Sequence, residues 1–118
     1  MVQTDFRTAL QGSNEIEITV TGRSSGRSHS YPVWFVLEGD KLYLLPVRGS
    51  DTDWYKNVRK RPSIRLEARG KTFTTSATPI TDEVQVGEVA QKFRDKDGAG
   101  QVKAYYPKHN VAVEVPLG

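Results

Sequence analysis

The chain has 118 residues, no cysteine and a net charge of +3, with 36% hydrophobic and 26% charged residues. That balance fits one soluble globular domain over residues 1–118 and excludes a disordered chain, a disulfide framework and a thiolate metal site. No apolar run approaches the roughly 20 residues of a membrane span, and the first residues lack a signal peptide's charged-then-apolar order, so the expected location is a reducing cytoplasm.

The charge is unevenly placed. Gly22 to Lys71 carries a local +6, whereas the remainder carries −3. The middle of the chain is therefore biased toward an anionic partner: a nucleic acid, a phosphate-bearing cofactor or an acidic lipid.

In chain order, Asp5 to Leu10 reads as a short helix. Glu15 to Thr21 alternates, with Ile16, Ile18 and Val20 on one face, and predicts a half-buried strand. Gly22 to Ser28 is a tight connection rich in Gly and Ser. Ser30 to Leu37 is a second strand, whose Pro32 belongs at a sheet edge or bulge. Glu38-Gly39-Asp40 turns into a third strand, Lys41 to Val47. Links this short make the strands antiparallel.

A polar loop, Arg48 to Asp53, leads to a helix from Trp54 to about Lys60, with Asp51, Thr52 or Asp53 as its cap and Pro62 as its stop. Trp54 and Val58 share one face. Ser63 to Ala68 and Thr72 to Pro79 form a second hairpin about Arg69-Gly70-Lys71. Thr81 or Asp82 caps a helix to Phe93, with Val86, Val89, Ala90 and Phe93 at helical spacing. Asp95 to Gly100 reads as a loop, and Asn110 to Val115 as the last strand. Six strands with short helices exclude a doubly wound parallel sheet and predict a mainly β fold, an antiparallel barrel with short peripheral helices.

Two segments offer binding chemistry. Thr21-Gly22-Arg23-Ser24-Ser25-Gly26-Arg27-Ser28 brings backbone N–H groups, hydroxyls and two guanidiniums into one turn, a composition suited to phosphate. It is not a P-loop, because no Gly-Lys-Thr/Ser opens a helix after it. A solvated hairpin turn has the same composition. Arg48 to Asn57 feeds a polar loop into a helix N-terminus, which attracts anions, and Trp54 and Tyr55 are suited to wall a planar ring. A plain core role on the helix's buried face also suits Trp54, and slightly better. Lys56, Arg59, Lys60 and Arg61 form either a nucleic-acid patch or the solvated face of the helix; no aromatic-interleaved RNA motif accompanies them.

The two histidines, His29 and His109, lack ligand-like spacing, so a structural zinc is not expected. Ser24 or Ser25 as a nucleophile would need a base for which the sequence offers only His29. Tyr105 and Tyr106, followed by Pro107-Lys108-His109, are either pocket-lid residues or surface aromatics beside a turn.

Three ordered segments together resemble a known family. Ile18 to Arg27 followed by Tyr31-Pro32-Val33, then Gly39 to Leu44, then Asp53-Trp54-Tyr55-Lys56-Asn57-Val58 through Pro62 are similar to the deazaflavin-dependent nitroreductases. The resemblance implies a split β-barrel of the pyridoxamine-phosphate-oxidase-like superfamily. It implies coenzyme F420, or FMN as in sister groups, and hydride transfer to a small-molecule electron acceptor such as a quinone or nitro compound. Carried onto this sequence, the cofactor-binding residues are Arg23, Ser24, Ser25, Gly26, Arg27, Arg48, Gly49, Ser50, Trp54 and Asn57. No residue is assigned a catalytic acid or base role, since the cofactor supplies the hydride. The loop from Arg48 to Asp53 is shorter than the family's, and Tyr31 stands where the family has Thr. A homodimer is expected, because such barrels pair through a sheet face. The rival from another class is a non-catalytic barrel binding a nucleotide or nucleic acid through the basic middle.

Overall fold

The computed structural model describes residues 2–11, 13, 15–105 and 110–117, without the side chains of 2–5, 104 and 105. The elements are α1 (Val2–Gln11), β1 (Glu15–Thr21), β2 (Ser28–Trp34), β3 (Val36–Glu38), β4 (Lys41–Leu44), a 3₁₀ turn (Gly49–Asp51), α2 (Asp53–Lys60), β5 (Ser63–Ala68), β6 (Lys71–Ser76), β7 (Thr78–Ile80), α3 (Glu83–Asp97), α4 (Ala99–Tyr105) and β8 (Ala112–Pro116).

Two four-stranded antiparallel sheets result, ordered β2-β1-β5-β6 and β3-β4-β8-β7. Each of two strands expected to run unbroken divides at one buried residue and passes from the first sheet to the second. The breaks are Phe35, between β2 and β3, and Ala77, between β6 and β7. A strand that changes sheets leaves its ladder, and its backbone groups need other partners. Ala77 N donates to Pro62 O at 2.8 Å, and Lys96 Nζ, reaching across from α3, donates to Phe35 O at 2.6 Å. Burial lowers the pKa of that lysine.

The main core lies between the sheets. Ile16, Ile18 and Val20 of β1, Ile64 and Leu66 of β5, and Val113 and Val115 of β8 meet there with Trp54 and Val58. A second core lies on the outer face of the second sheet, where Val86, Val89, Ala90 and Phe93 of α3 pack with Ala112 and Val36. The split of β8 between the cores follows from strand alternation: Val113 and Val115 point one way and Ala112 the other. Pro32 sits on β2, an edge strand, where its missing N–H costs no ladder bond.

The helices correct several boundaries. α1 starts earlier than Asp5. α3 is capped by Asp82, whose Oδ2 accepts from Gln85 N at 3.0 Å, and it runs through Asp97 rather than stopping at Phe93. The expected loop from Asp95 to Gly100 is therefore mostly helix, broken only at Gly98, whose φ of 90° lies where a side chain is strained. Residues 106–109, which include part of the expected Tyr-Pro lid, lie outside the described residues. Among the described residues no helix is long and apolar enough to cross a membrane.

Candidate functional site

Strand β1 ends at Thr21 and the chain turns through Gly22–Arg27 before β2. Gly22 N donates to Arg27 O at 2.7 Å and Gly26 N to Gly22 O at 3.0 Å, while Arg27 N donates to Ser25 Oγ at 3.1 Å. Three of the turn's six N–H groups are thus occupied within it, and that of Arg23 goes to Asn57. Among the described residues, those of Ser24 and Ser25 at its tip have no partner.

The turn is tied to α2 by Asn57. Its buried Oδ1 accepts from Arg23 N at 3.1 Å and from Arg23 Nη1 at 2.7 Å, and Arg23 Nη2 lies 4.0 Å from Asp53 Oδ1. Asn57 thereby holds both the backbone and the guanidinium of Arg23. Around this joint is a cavity of about 240 Å³, lined by Gly22, Arg23, Ser24, Ser25, His29, Tyr31, Asp53 and Asn57.

Two further clefts adjoin it. The first, about 380 Å³, shares Tyr31 and Asp53 and continues along Pro32, Val33, Val47, Arg48, Asp51, Thr52 and Trp54. Its walls include the apolar side chains of Pro32, Val33, Val47 and Trp54, and Val47 is one of two large hydrophobic side chains left exposed among the described residues. The second, about 450 Å³, shares Arg23 and is lined by Ser50, Lys56, Arg59 and Lys60. Together they make a groove around α2 that grades from cationic to apolar.

The loop before α2 is pinned from both sides. Ser50 N donates to Asn110 Oδ1 at 3.0 Å, and Asn110 Nδ2 donates to Ser50 Oγ at 2.8 Å. Thr52 occupies the N-cap position of α2, but its hydroxyl accepts from Arg48 N at 2.7 Å instead of capping the helix. Gly49 is buried with φ 56°, a left-handed position at which any other residue is strained.

The structure thus brings Arg23, Ser24, Ser25 and Asn57 to one cavity and places Arg48, Ser50 and Trp54 on the adjoining clefts. Gly26 and Arg27 are exposed and line none of the three, and Gly49 shapes the loop from beneath. Trp54, 3% exposed, is both a core residue and a cleft wall. Tyr55 turns into the core, where burial pushes its phenol pKa up. His29, Tyr31 and Asp53 were not expected as site residues. Alternation from buried Val33 puts Tyr31 and His29 on the same inward side of β2, and this was the signal available.

A separate cavity of about 310 Å³ lies between the second sheet and α3, with Glu38, Glu88 and Glu114 on its walls. Lys92 there is committed to Glu38 at 2.7 Å, and that hydrogen bond raises the ammonium pKa. Tyr43, beside it, is raised by burial first and by Glu114 second. None of the expected site residues reaches this cavity.

The family described as F420H(2)-dependent quinone reductase matches residues 2–115. The chain belongs to this family. The match agrees with the resemblance carried by the Gly-Arg-Ser turn and the Trp-Tyr-Lys-Asn segment. Solved structures of like fold include an F420-H2-dependent reductase, 19% identical over 86% of this chain and 93% of that one, with a TM-score of 0.66. A putative pyridoxamine 5'-phosphate oxidase from Listeria innocua is 14% identical over 98% and 92%, with a TM-score of 0.68. A structure described as a domain-swapped dimer is 19% identical over 96% and 94%, with a TM-score of 0.67. These neighbours place the fold among the split β-barrels.

Proposed function

We propose that this member of the family is an F420-dependent reductase acting on a conjugated small molecule of the quinone or nitro-compound type. The observation that carries the reading is the groove itself. A cofactor joining a charged phosphate to a flat ring needs a cationic, hydroxyl-rich cavity continuous with an apolar cleft, and Arg23, Tyr31 and Asp53 are shared between such neighbours. Arg23, Ser24 and Ser25 would hold the phosphate. Tyr31, Val33, Val47 and Trp54 would hold the ring and keep water from it. Reduced F420, when bound, supplies the hydride. The chain's own residues bind, orient and dehydrate, which is why the groove needs no acid–base pair.

Titration of the purified chain with F420, with FMN and with a short single-stranded oligonucleotide tests this reading. Saturable binding of F420, tighter than that of FMN, is expected. An oligonucleotide bound through Lys56, Arg59 and Lys60 with no affinity for F420 would return the chain to the polyanion-binding class.

We also propose that the chain pairs with a second copy. Support comes from the fold neighbour that is a domain-swapped dimer. Light scattering is expected to give twice the 13.2 kDa of the single chain; the single-chain mass at micromolar concentration contradicts pairing.

A further inference from the structure

His29 stands on β2 opposite Val20 of β1 and faces the cavity at the β1–β2 turn. It and Ser25 close over Gly22 so tightly that a Cβ at position 22 would lie 2.9 Å from His29 Nε2 and 2.7 Å from Ser25 Oγ. The bare backbone of Gly22 thus gives the imidazole its seat beside Ser25, in the cavity that Arg23 also lines.

The charged and titratable groups that share this cavity with His29 are Arg23 from the turn, Asp53 from the first turn of α2 and Tyr31 from its own strand; Val20, across the sheet, is apolar. Asp53 lies 4.0 Å from Arg23 and partly offsets its charge. An incoming phosphate therefore meets one permanent cation already shared with a carboxylate, the hydroxyls of Ser24, Ser25 and Tyr31, and an imidazole.

We propose that His29 is a further phosphate-binding residue, and that it takes up a proton from solvent as the phosphate binds. This rests on the cavity being the phosphate site of the cofactor. A neutral imidazole donates one hydrogen bond; protonated, it donates from both nitrogens and adds a second positive charge that balances Asp53. Histidine is the side chain suited to change charge between pH 5 and 8, and a nearby anion favours its charged form. By linkage, an anion that favours the protonated ring is itself bound more tightly when the ring is protonated. F420 carries its phosphate as a diester, whose single charge does not titrate in this range; the hydroxyl on its deazaflavin ring does, so the part of the pH dependence that His29→Gln removes is the part that reports on His29.

The test is the affinity for F420 at pH 5.5 and pH 8, in the unaltered chain and in His29→Gln. The ratio of the affinities at pH 5.5 and pH 8 is expected to be about tenfold larger in the unaltered chain than in His29→Gln, the effect of roughly one pKa unit of coupling. At pH 8, His29→Gln is expected to bind with close to the unaltered chain's affinity. Histidine ring NMR of the unaltered chain gives a second readout: with F420 bound, the His29 ring stays protonated to higher pH than without it. A ratio of affinities between the two pH values that is the same in His29→Gln as in the unaltered chain overturns the role of His29. Absence of F420 binding at either pH overturns the phosphate site itself.

Discussion

Arg23→Ala is expected to weaken F420 binding by about 1.5–3 kcal/mol, whereas Arg27→Ala changes it by no more than about 0.5 kcal/mol. Composition alone makes the two arginines equivalent, since they flank the same glycine-rich turn. The structure separates them. Arg23 is half-buried and lines the cavity, with its guanidinium held by Asn57 Oδ1 at 2.7 Å. A group fixed in this way loses little side-chain entropy when it binds a phosphate, so more of the charge-assisted hydrogen bond reaches the affinity. Arg27 is exposed and lines none of the clefts around α2.

Removing the Arg23 side chain leaves the bond from its backbone N to Asn57 intact, so the turn keeps its shape and the loss is one of binding. Arg23→Lys keeps the charge without the fork and is expected to fall between the two alanine variants. Binding to the unaltered chain is expected to weaken with added salt, and binding to Arg23→Ala to respond less. Isothermal titration of the variants decides the matter: equal affinities for Arg23→Ala and the unaltered chain remove the phosphate from this cavity, and equal losses from both arginines mean that the turn binds as a loose cationic patch.

Local elements were legible because their patterns are local. β1 alternates through seven residues, and α3 repeats its apolar positions at helical spacing, so their faces follow from periodicity. The passage of two strands between sheets was not legible in the same way. Phe35 and Val36 are consecutive buried residues because each faces a different core, and a run of apolar residues reads as one strand whether or not it changes sheets. The helical overrun at Arg94 to Asp97 is polar and exposed on one side, so only the break at Gly98 marks its end.

The site shows the same division. The Gly-Arg-Ser turn and the loop before Trp54 were visible as two motifs. Their joining through Arg23 and Asn57, 34 residues apart, is a property of the barrel that no spacing rule carries. The unequal standing of Arg23 and Arg27 likewise depends on which side of the turn faces α2.

Trp54 is where the core and the proposed ring site coincide, and two substitutions are expected to separate its duties. Its side chain is 3% exposed and packs with Val58 between the sheets, yet it also lines the cleft beside Tyr31, Pro32, Val33 and Val47. Trp54→Ala removes a large buried ring and is expected to cost about 3–5 kcal/mol of stability, a major part of a small domain's margin. Trp54→Phe keeps an aromatic in the same space and is expected to lose only a fraction of that, so it is the variant in which affinity can be read. If the exposed edge of the indole meets the ring of F420, Trp54→Phe binds more weakly while its melting temperature falls only slightly. If the residue serves the core alone, the melting temperature falls and the affinity stays. Fluorescence gives an independent reading in a Trp34→Phe background, because Trp34, at the end of β2, is the only other indole. Emission from Trp54 is expected to drop as F420 saturates the groove, after correction for the absorbance of the cofactor. Unchanged emission at saturation would place the ring elsewhere and leave Trp54 to the core.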